Sequence, residues 1–183
     1  MRRPDPGSPK RHSHVSDLSS APPPPLDAAD HVRGDPDWPL LLLYADFTCP
    51  RCALAHERLR GVPLRVAFRH FAIAAKHPRA VPLAAAVEAA ALQGRFWELH
   101  DALFEDPGHT DDPHLWAHAQ AFGLDLERFE ADRRSPELLE RVRQQTRGGM
   151  RAGVAVTPTL IVGRTIAPGP PDAELIARLT GSI

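Results

Sequence analysis

The 183-residue chain has only two cysteines and only two lysines, Lys10 and Lys76. Two cysteines exclude a small secreted scaffold stapled by several disulfides. Long hydrophobic runs are missing as well. The longest apolar stretch, Leu40–Ala45, falls far short of the ~20 residues that a membrane-crossing helix needs. The charged start Met1-Arg2-Arg3 leads into no apolar segment, so the N-terminus does not read as a secretory leader. Charge of one sign is absent too. Lys and Arg number 22 against 23 Asp and Glu, interspersed, for a formal net charge of −1. Such a balance leaves no electrostatic footprint for nucleic acid or for an anionic membrane. The expectation is a cytoplasmic protein with neither as partner.

What is present suffices for one domain with a real core and something added to it. Residues 1–30 are rich in proline, serine, histidine and aspartate and include Pro22-Pro23-Pro24-Pro25, which predicts a disordered, partly polyproline tail. Residues 30–39 read as a turn-rich lead-in. Residues 40–44 have the unbroken apolarity of a strand buried on both faces, and residues 64–71 alternate as a second strand. A helix between them, ended by Gly61 and Pro63, makes a strand–helix–strand unit with parallel strands. The middle differs in kind. Helices are predicted over residues 81–93, from Phe96 to about Pro107, and from an Asp112 cap through Phe122. Two more are expected at residues 126–129 and after Ser135. Residues 154–163 return to strand, with a cis Thr157–Pro158 bond reconciling the proline with that assignment. Residues 168–171 read as a turn and 172–179 as a closing helix. The organisation expected is an α/β fold in which residues 31–79 and 150–183 form a core and 80–149 a helical insert.

Both cysteines sit in Asp46-Phe47-Thr48-Cys49-Pro50-Arg51-Cys52, where the first strand gives way to the helix. Cys49 stands near the helix start and Cys52 one turn in. The first turn has unsatisfied N–H groups and the positive end of the helix dipole, which favour a thiolate over a thiol. Arg51 is expected to add a fixed positive charge, and Pro50 suits the first helical position because its missing N–H is not needed. Residues three apart on a helix are close enough for their sulfurs to join. The pair is therefore suited to redox cycling. The competing readings are an incidental, inert pair and half a zinc site, but a zinc site needs four ligands and no second cysteine pair exists. His114 and His118 have ligand spacing, yet they sit among acids and alanine on what reads as a solvated helix face. No metal and no organic cofactor is expected.

The ordered set of motifs resembles the DsbA-like thioredoxin-fold thiol–disulfide oxidoreductases, in the branch with an inserted helical domain. The likeness spans residues 30–183. It rests on Asp30-His31-Val32-Arg33-Gly34, Tyr44-Ala45-Asp46-Phe47 before Cys49-Pro50-Arg51-Cys52, and Phe68-Arg69-His70-Phe71. It continues through Gln93-Gly94-Arg95-Phe96-Trp97-Glu98-Leu99-His100-Asp101-Ala102-Leu103-Phe104, Phe122-Gly123-Leu124-Asp125, and Gly153-Val154-Ala155-Val156-Thr157-Pro158-Thr159. The resemblance implies that Cys49 is the exposed nucleophile and Cys52 the buried resolving cysteine. It further implies that Thr157 and Pro158 form a loop against the pair that offers backbone hydrogen bonds to a bound peptide.

Two positions depart from the family. Leu43 stands where a buried acid often serves the resolving cysteine, leaving Asp46 as the nearest candidate for proton transfer, with local structure as its alternative role. Val156 replaces the frequent glycine before Thr-Pro, which narrows the expected groove. His56 is read as a surface residue, His70 and His100 as satisfied structural histidines, and Trp97 and Trp116 as packing residues. The function implied is disulfide exchange with a protein or low-molecular-weight thiol, coupled to a redox partner. Alternatives are a redox-sensing or client-binding module without turnover, and a small-molecule transferase or isomerase of the same fold, against which the retention of Cys52 counts.

Overall fold

The computed structural model describes residues 22–181. The first part of the expected disordered tail lies outside these residues. Its last part, 22–30, lies against the sheet. Arg69 donates to the carbonyls of Pro24 and Pro25 and holds Asp30 through Nε and Nη2 at 2.7 Å. Burial opposes and hydrogen bonding favours the charged forms of this pair; Asp30 is held below, and Arg69 above, its ordinary range.

Five strands form one sheet in the order β1 (His31–Arg33), β3 (Arg65–His70), β2 (Leu40–Ala45), β4 (Thr159–Val162), β5 (Thr165–Pro168). Strands β2 and β3 run parallel on either side of α1 (Pro50–Leu59) in the chain, and every other pairing is antiparallel. Three strands differ from the sequence reading. The lead-in supplies β1, three residues without alternation that gain strand geometry only from pairing with β3. The last predicted strand begins at Thr159 rather than 154. The five preceding residues form a loop, and the chain then turns back into β5, whose four mostly exposed residues have no apolar pattern to announce them.

Side chains alternate across a strand, so β2 feeds both faces. Leu41, Leu43 and Ala45 join Phe68 and Leu160 in the main core; Leu42 and Tyr44 join Ala67 and Ile161 on the other side. Between β3 and β4 stand α2 (Ala80–Ala91), α3 (Phe96–Glu105), α4 (Asp112–Ala121), α5 (Leu126–Asp132) and α6 (Pro136–Arg151), with α7 (Ala173–Leu179) closing the described chain. The cap of α4 is Asp111, one residue earlier than expected, because its carboxylate reaches the His114 N–H and leaves Pro113 inside the first turn. Leu83, Val87, Leu99, Leu103, Leu115 and Phe129 of the helices share one cluster with the sheet residues, so helices and sheet bury each other's apolar faces. Each such fully buried side chain contributes about 1.5–3 kcal/mol.

Helix α6 crosses the opposite face at a glycine. A Cβ at Gly149 would lie 2.9 Å from both Phe71 Cδ2 and Tyr44 Cε1, too close for rings locked in a core. Gly149→Ala is expected to destabilise the fold by about 1–3 kcal/mol, read as a lower midpoint in chemical denaturation at unchanged slope. An unchanged midpoint would show that the rings move freely.

Candidate functional site

Strand β2 ends at Ala45, and Asp46 turns the chain toward α1. The Asp46 carboxylate accepts from the backbone N–H and the hydroxyl of Thr48, both at 2.8 Å, while its carbonyl accepts from Cys49 N–H at 3.1 Å. This buried acid therefore shapes the approach loop. Cys49 is the N-cap residue of α1, Pro50 its first helical residue, and Cys52 lies buried one turn in.

The loop before β4 meets this helix start. Cys49 Sγ lies 3.6 Å from the Thr157 carbonyl oxygen. The Thr157–Pro158 peptide is cis. The Thr159 hydroxyl donates to the Val156 carbonyl at 2.7 Å, and Gly169 N–H donates to the Pro158 carbonyl at 2.7 Å, which fixes both ends of the loop. Val156 is exposed while Pro158 is buried. The structure thus brings Cys49, Cys52, Thr157 and Pro158 together, with Arg51 and Val156 on the rim of one adjoining cleft and Asp46 in its lining.

The two sulfurs are in opposite electrostatic situations. Both cysteines are free thiols here. The Cys49 pKa is lowered to about 5, first by a hydrogen bond from the Cys52 thiol, against the opposing effect of partial burial. Thr157 and the first-turn N–H groups of Cys52 and Arg51 add to it. Burial and the Cys49 partner push the Cys52 thiol far up. Arg51 corrects the sequence reading: it acts on Cys49 through its backbone N–H, while its guanidinium lies against Gly169, where a Cβ would sit 2.5 Å from Nη2. A long side chain at the exposed first turn is free to leave the sulfur for the neighbouring turn.

His56 also departs from expectation. It is 7% exposed, with Nε2 lacking a hydrogen bond among the described residues and 4.0 Å from Glu105 Oε1, since the face it shares with Cys52 packs on α3. Beside it lie His100, whose Nδ1 is 2.7 Å from Asp101 Oδ1, and Phe104, stacked on the His56 ring. Burial lowers both histidine pKa values, that of His100 to about 4. His70 and His100 are each bonded at one ring nitrogen and unpartnered at the other, so neither is fully satisfied. His56, His100 and Asp101 could offer three ligand atoms within 4.8 Å of one another. A metal ion does not fit, because Arg33 Nη1 already holds both Asp101 oxygens at 2.8 and 2.7 Å and would repel it. Trp97 packs under that same guanidinium, whereas Trp116 is 42% exposed and donates to Glu130. Ile73, Lys76 and His77 line the cleft together with Phe71 of the Phe68-Arg69-His70-Phe71 motif, and the sequence pointed to no role for any of them in the site.

Residues 61–180, about two thirds of the chain, match the DSBA-like thioredoxin domain. The chain belongs to this family. The DSBA-like match begins just after the cysteine pair, so the pair's placement is seen from the geometry above and not from the match. Solved structures with the same fold include a thioredoxin-like oxidoreductase from Silicibacter pomeroyi DSS-3, with a TM-score of 0.73 at 23% identity, covering 85% of this chain and 92% of that one. The thiol-disulfide exchange protein alpha-DsbA2 from Wolbachia pipientis gives 0.75 at 16% identity, covering 85% and 88%. The DSBA-like chain is also 40% identical over 164 residues to a protein named Na(+)/H(+) antiporter NhaA 1 from Mycolicibacterium gilvum, and 38% over 170 residues to NhaA from Herminiimonas arsenicoxydans. These alignments cover 84% and 88% of this chain and 27% of each of those proteins, so the chain spans about a quarter of the length of the curated relatives it matches.

Proposed function

We propose that this DSBA-like chain is a thiol–disulfide oxidoreductase whose Cys49–Cys52 pair exchanges disulfides with protein or small-thiol substrates. The observation that carries this reading is the asymmetry of the pair: a partly exposed sulfur held as thiolate by the Cys52 thiol and Thr157, and a buried one held as thiol. The Cys49 thiolate attacks a substrate disulfide, forming a mixed disulfide and releasing one substrate thiolate. Cys52 then gives up its proton and attacks Cys49 Sγ, the second substrate sulfur leaves as thiolate, and the protein becomes the disulfide. Two electrons pass from protein to substrate; a partner dithiol restores the pair by the reverse sequence. Val156, Thr157 and Pro158 form the wall against which the substrate backbone lies, and Pro50 and Arg51 form the opposite rim. Residues 31–79 and 150–183 serve as the exchange unit and 80–149 as its helical insert. Asp46, its carboxylate occupied by Thr48, serves by shaping the loop.

Stabilising the thiolate stabilises the dithiol form, which makes the couple more oxidising. Against a thioredoxin thiol near pKa 7, a value of about 5 corresponds to roughly 50 mV at neutral pH, using ~30 mV per 1.4 kcal/mol. Cys49 is only partly buried, so solvent screening trims the figure. Equilibration against a dithiol buffer series with alkylation readout is expected to give a potential some 30–50 mV above the roughly −270 mV of thioredoxin. A pair that forms no intramolecular disulfide at any poise would end the redox reading.

A further inference from the structure

The cleft that opens beside Thr157 has a charge pattern that the cysteine chemistry does not require. It holds about 210 Å³ and is floored by Phe71 and Ile73, with Val156 on its wall. That volume is below the ~300–1,000 Å³ of a site for a whole ligand, and fits a single side chain next to a reacting sulfur. Its cations are Arg51 and Lys76, its one acid is Asp46, and His77 lies beside them. The one acid is 5% exposed, and its carboxylate is taken by Thr48. Arg51, Lys76 and His77 are exposed and have no carboxylate partner among the described residues. By contrast, Arg33, Arg69 and Arg133 each hold carboxylates. The guanidinium of Arg51 lies against Gly169, whose N–H is bonded to the Pro158 carbonyl of the same loop.

We infer that the substrates of this site carry a carboxylate beside the reacting sulfur, as in an acidic residue flanking a cysteine. This rests on the exchange reading above. The aliphatic stem of such a residue lies on Phe71 and Val156, and its carboxylate reaches the cationic rim. The first exchange step is then accelerated for acidic substrates and slowed for basic ones, because the rim charges attract or repel the flank before any bond changes.

The test uses the reduced full chain in excess over short peptides that differ only in having Glu, Gln or Lys beside the cysteine. Each peptide is presented as a mixed disulfide with thionitrobenzoate, whose low thiol pKa makes it the leaving group. At low ionic strength the Glu peptide is expected to release thionitrobenzoate about tenfold faster than the Lys peptide, with Gln between them. In 1 M salt, where screening acts within ~3 Å, the ratio is expected to fall to about twofold. Lys76→Gln is expected to cut the low-salt ratio to about threefold. Arg164→Gln, which removes a cation at the β4–β5 turn outside the cleft, is expected to leave it unchanged. Equal rates for the Glu and Lys peptides overturn the inference, as does an equal loss of preference in both variants.

Binding of the corresponding fluorescent reduced peptides to Cys49→Ser separates the two readings. If no peptide is exchanged but this variant still holds the Glu peptide at least ~3-fold tighter than the Lys peptide, the exchange reading falls and the acidic preference stands. If peptides are exchanged with no charge preference, the acidic preference falls and the exchange reading stands.

Discussion

In a Cys52→Ala variant the Cys49 pKa is expected to rise from about 5, because the largest influence holding it down is the hydrogen bond from the Cys52 thiol. Cys52→Ser keeps an O–H donor at the same place and is expected to keep most of the depression. The readout is the rate of iodoacetamide alkylation against pH, together with thiolate absorbance. Each unit of rise removes tenfold of the thiolate at pH values well below both the old and the new pKa. The more basic sulfur is intrinsically more nucleophilic, with a Brønsted slope of about 0.4–0.5, so the net loss is about threefold per unit. Both variants should abolish multiple turnover, since no resolving thiol remains, and both should accumulate a mixed disulfide at Cys49. Cys49→Ser should reduce exchange to the uncatalysed background. Should Cys52→Ala alkylate with the same midpoint as the unaltered protein, the Cys52 thiol is not what lowers the Cys49 pKa, and the helix terminus is.

The linkage has a definite sign. A thiol pKa of about 5, against 9.0 for an unperturbed one, stabilises the reduced fold fully above pH 9, and that contribution disappears as pH falls through 5. The oxidised protein lacks the titrating group. The stability difference between reduced and oxidised forms should therefore shift in favour of the oxidised form on acidification, measurable by denaturing both forms between pH 4 and pH 8.

Glu88→Ala is expected to be the most destabilising single change away from the cysteines. Glu88 on α2 is 1% exposed and is surrounded by His31 of β1, His70 of β3 and Arg141 of α6 at 3.0–3.1 Å. Burial works against its charge, but hydrogen bonds with His31 and His70 outweigh that and hold its pKa well below the carboxylate range. Removing the carboxylate leaves the buried His70 and the partly buried Arg141 without their shared anion, at a cost of about 3–5 kcal/mol. For a protein of this size that is a fall in Tm of roughly 10–15 °C. A depressed carboxylate pKa contributes stability that is present above the unfolded value of 4.5 and is lost as pH falls below it. The unaltered protein should therefore lose stability between pH 5 and pH 3 more steeply than Glu88→Gln. Parallel pH profiles, or a Tm change under ~2 °C in Glu88→Ala, would show that the network contributes no net stability.

Much of this protein was legible before its structure. The two-faced apolarity of residues 40–45 named the central strand, and the break at Cys49-Pro50 named the helix start, because burial and backbone geometry restrict residue choice there most severely. The helix start at Ser135 was readable for the same local reason, since a side chain within three residues supplies the missing hydrogen bond. Three features could be decided only by long-range packing. Strand β1 owes its conformation to β3, and β5 to β4, so neither carries an apolar pattern of its own. His56 looks like a surface residue by its polarity, but α3 closes over it and removes it from water. The Cys49 thiolate was foreseen from the helix terminus and Arg51; local helix spacing brings Cys52, its strongest support, within reach, and only the fold adds Thr157 from 108 residues away. Sequence alone determined which chemistry is proposed for the chain, through residue types and local spacing. Tertiary structure decided which neighbours tune that chemistry, because electrostatic environment depends on distances that the chain order does not encode.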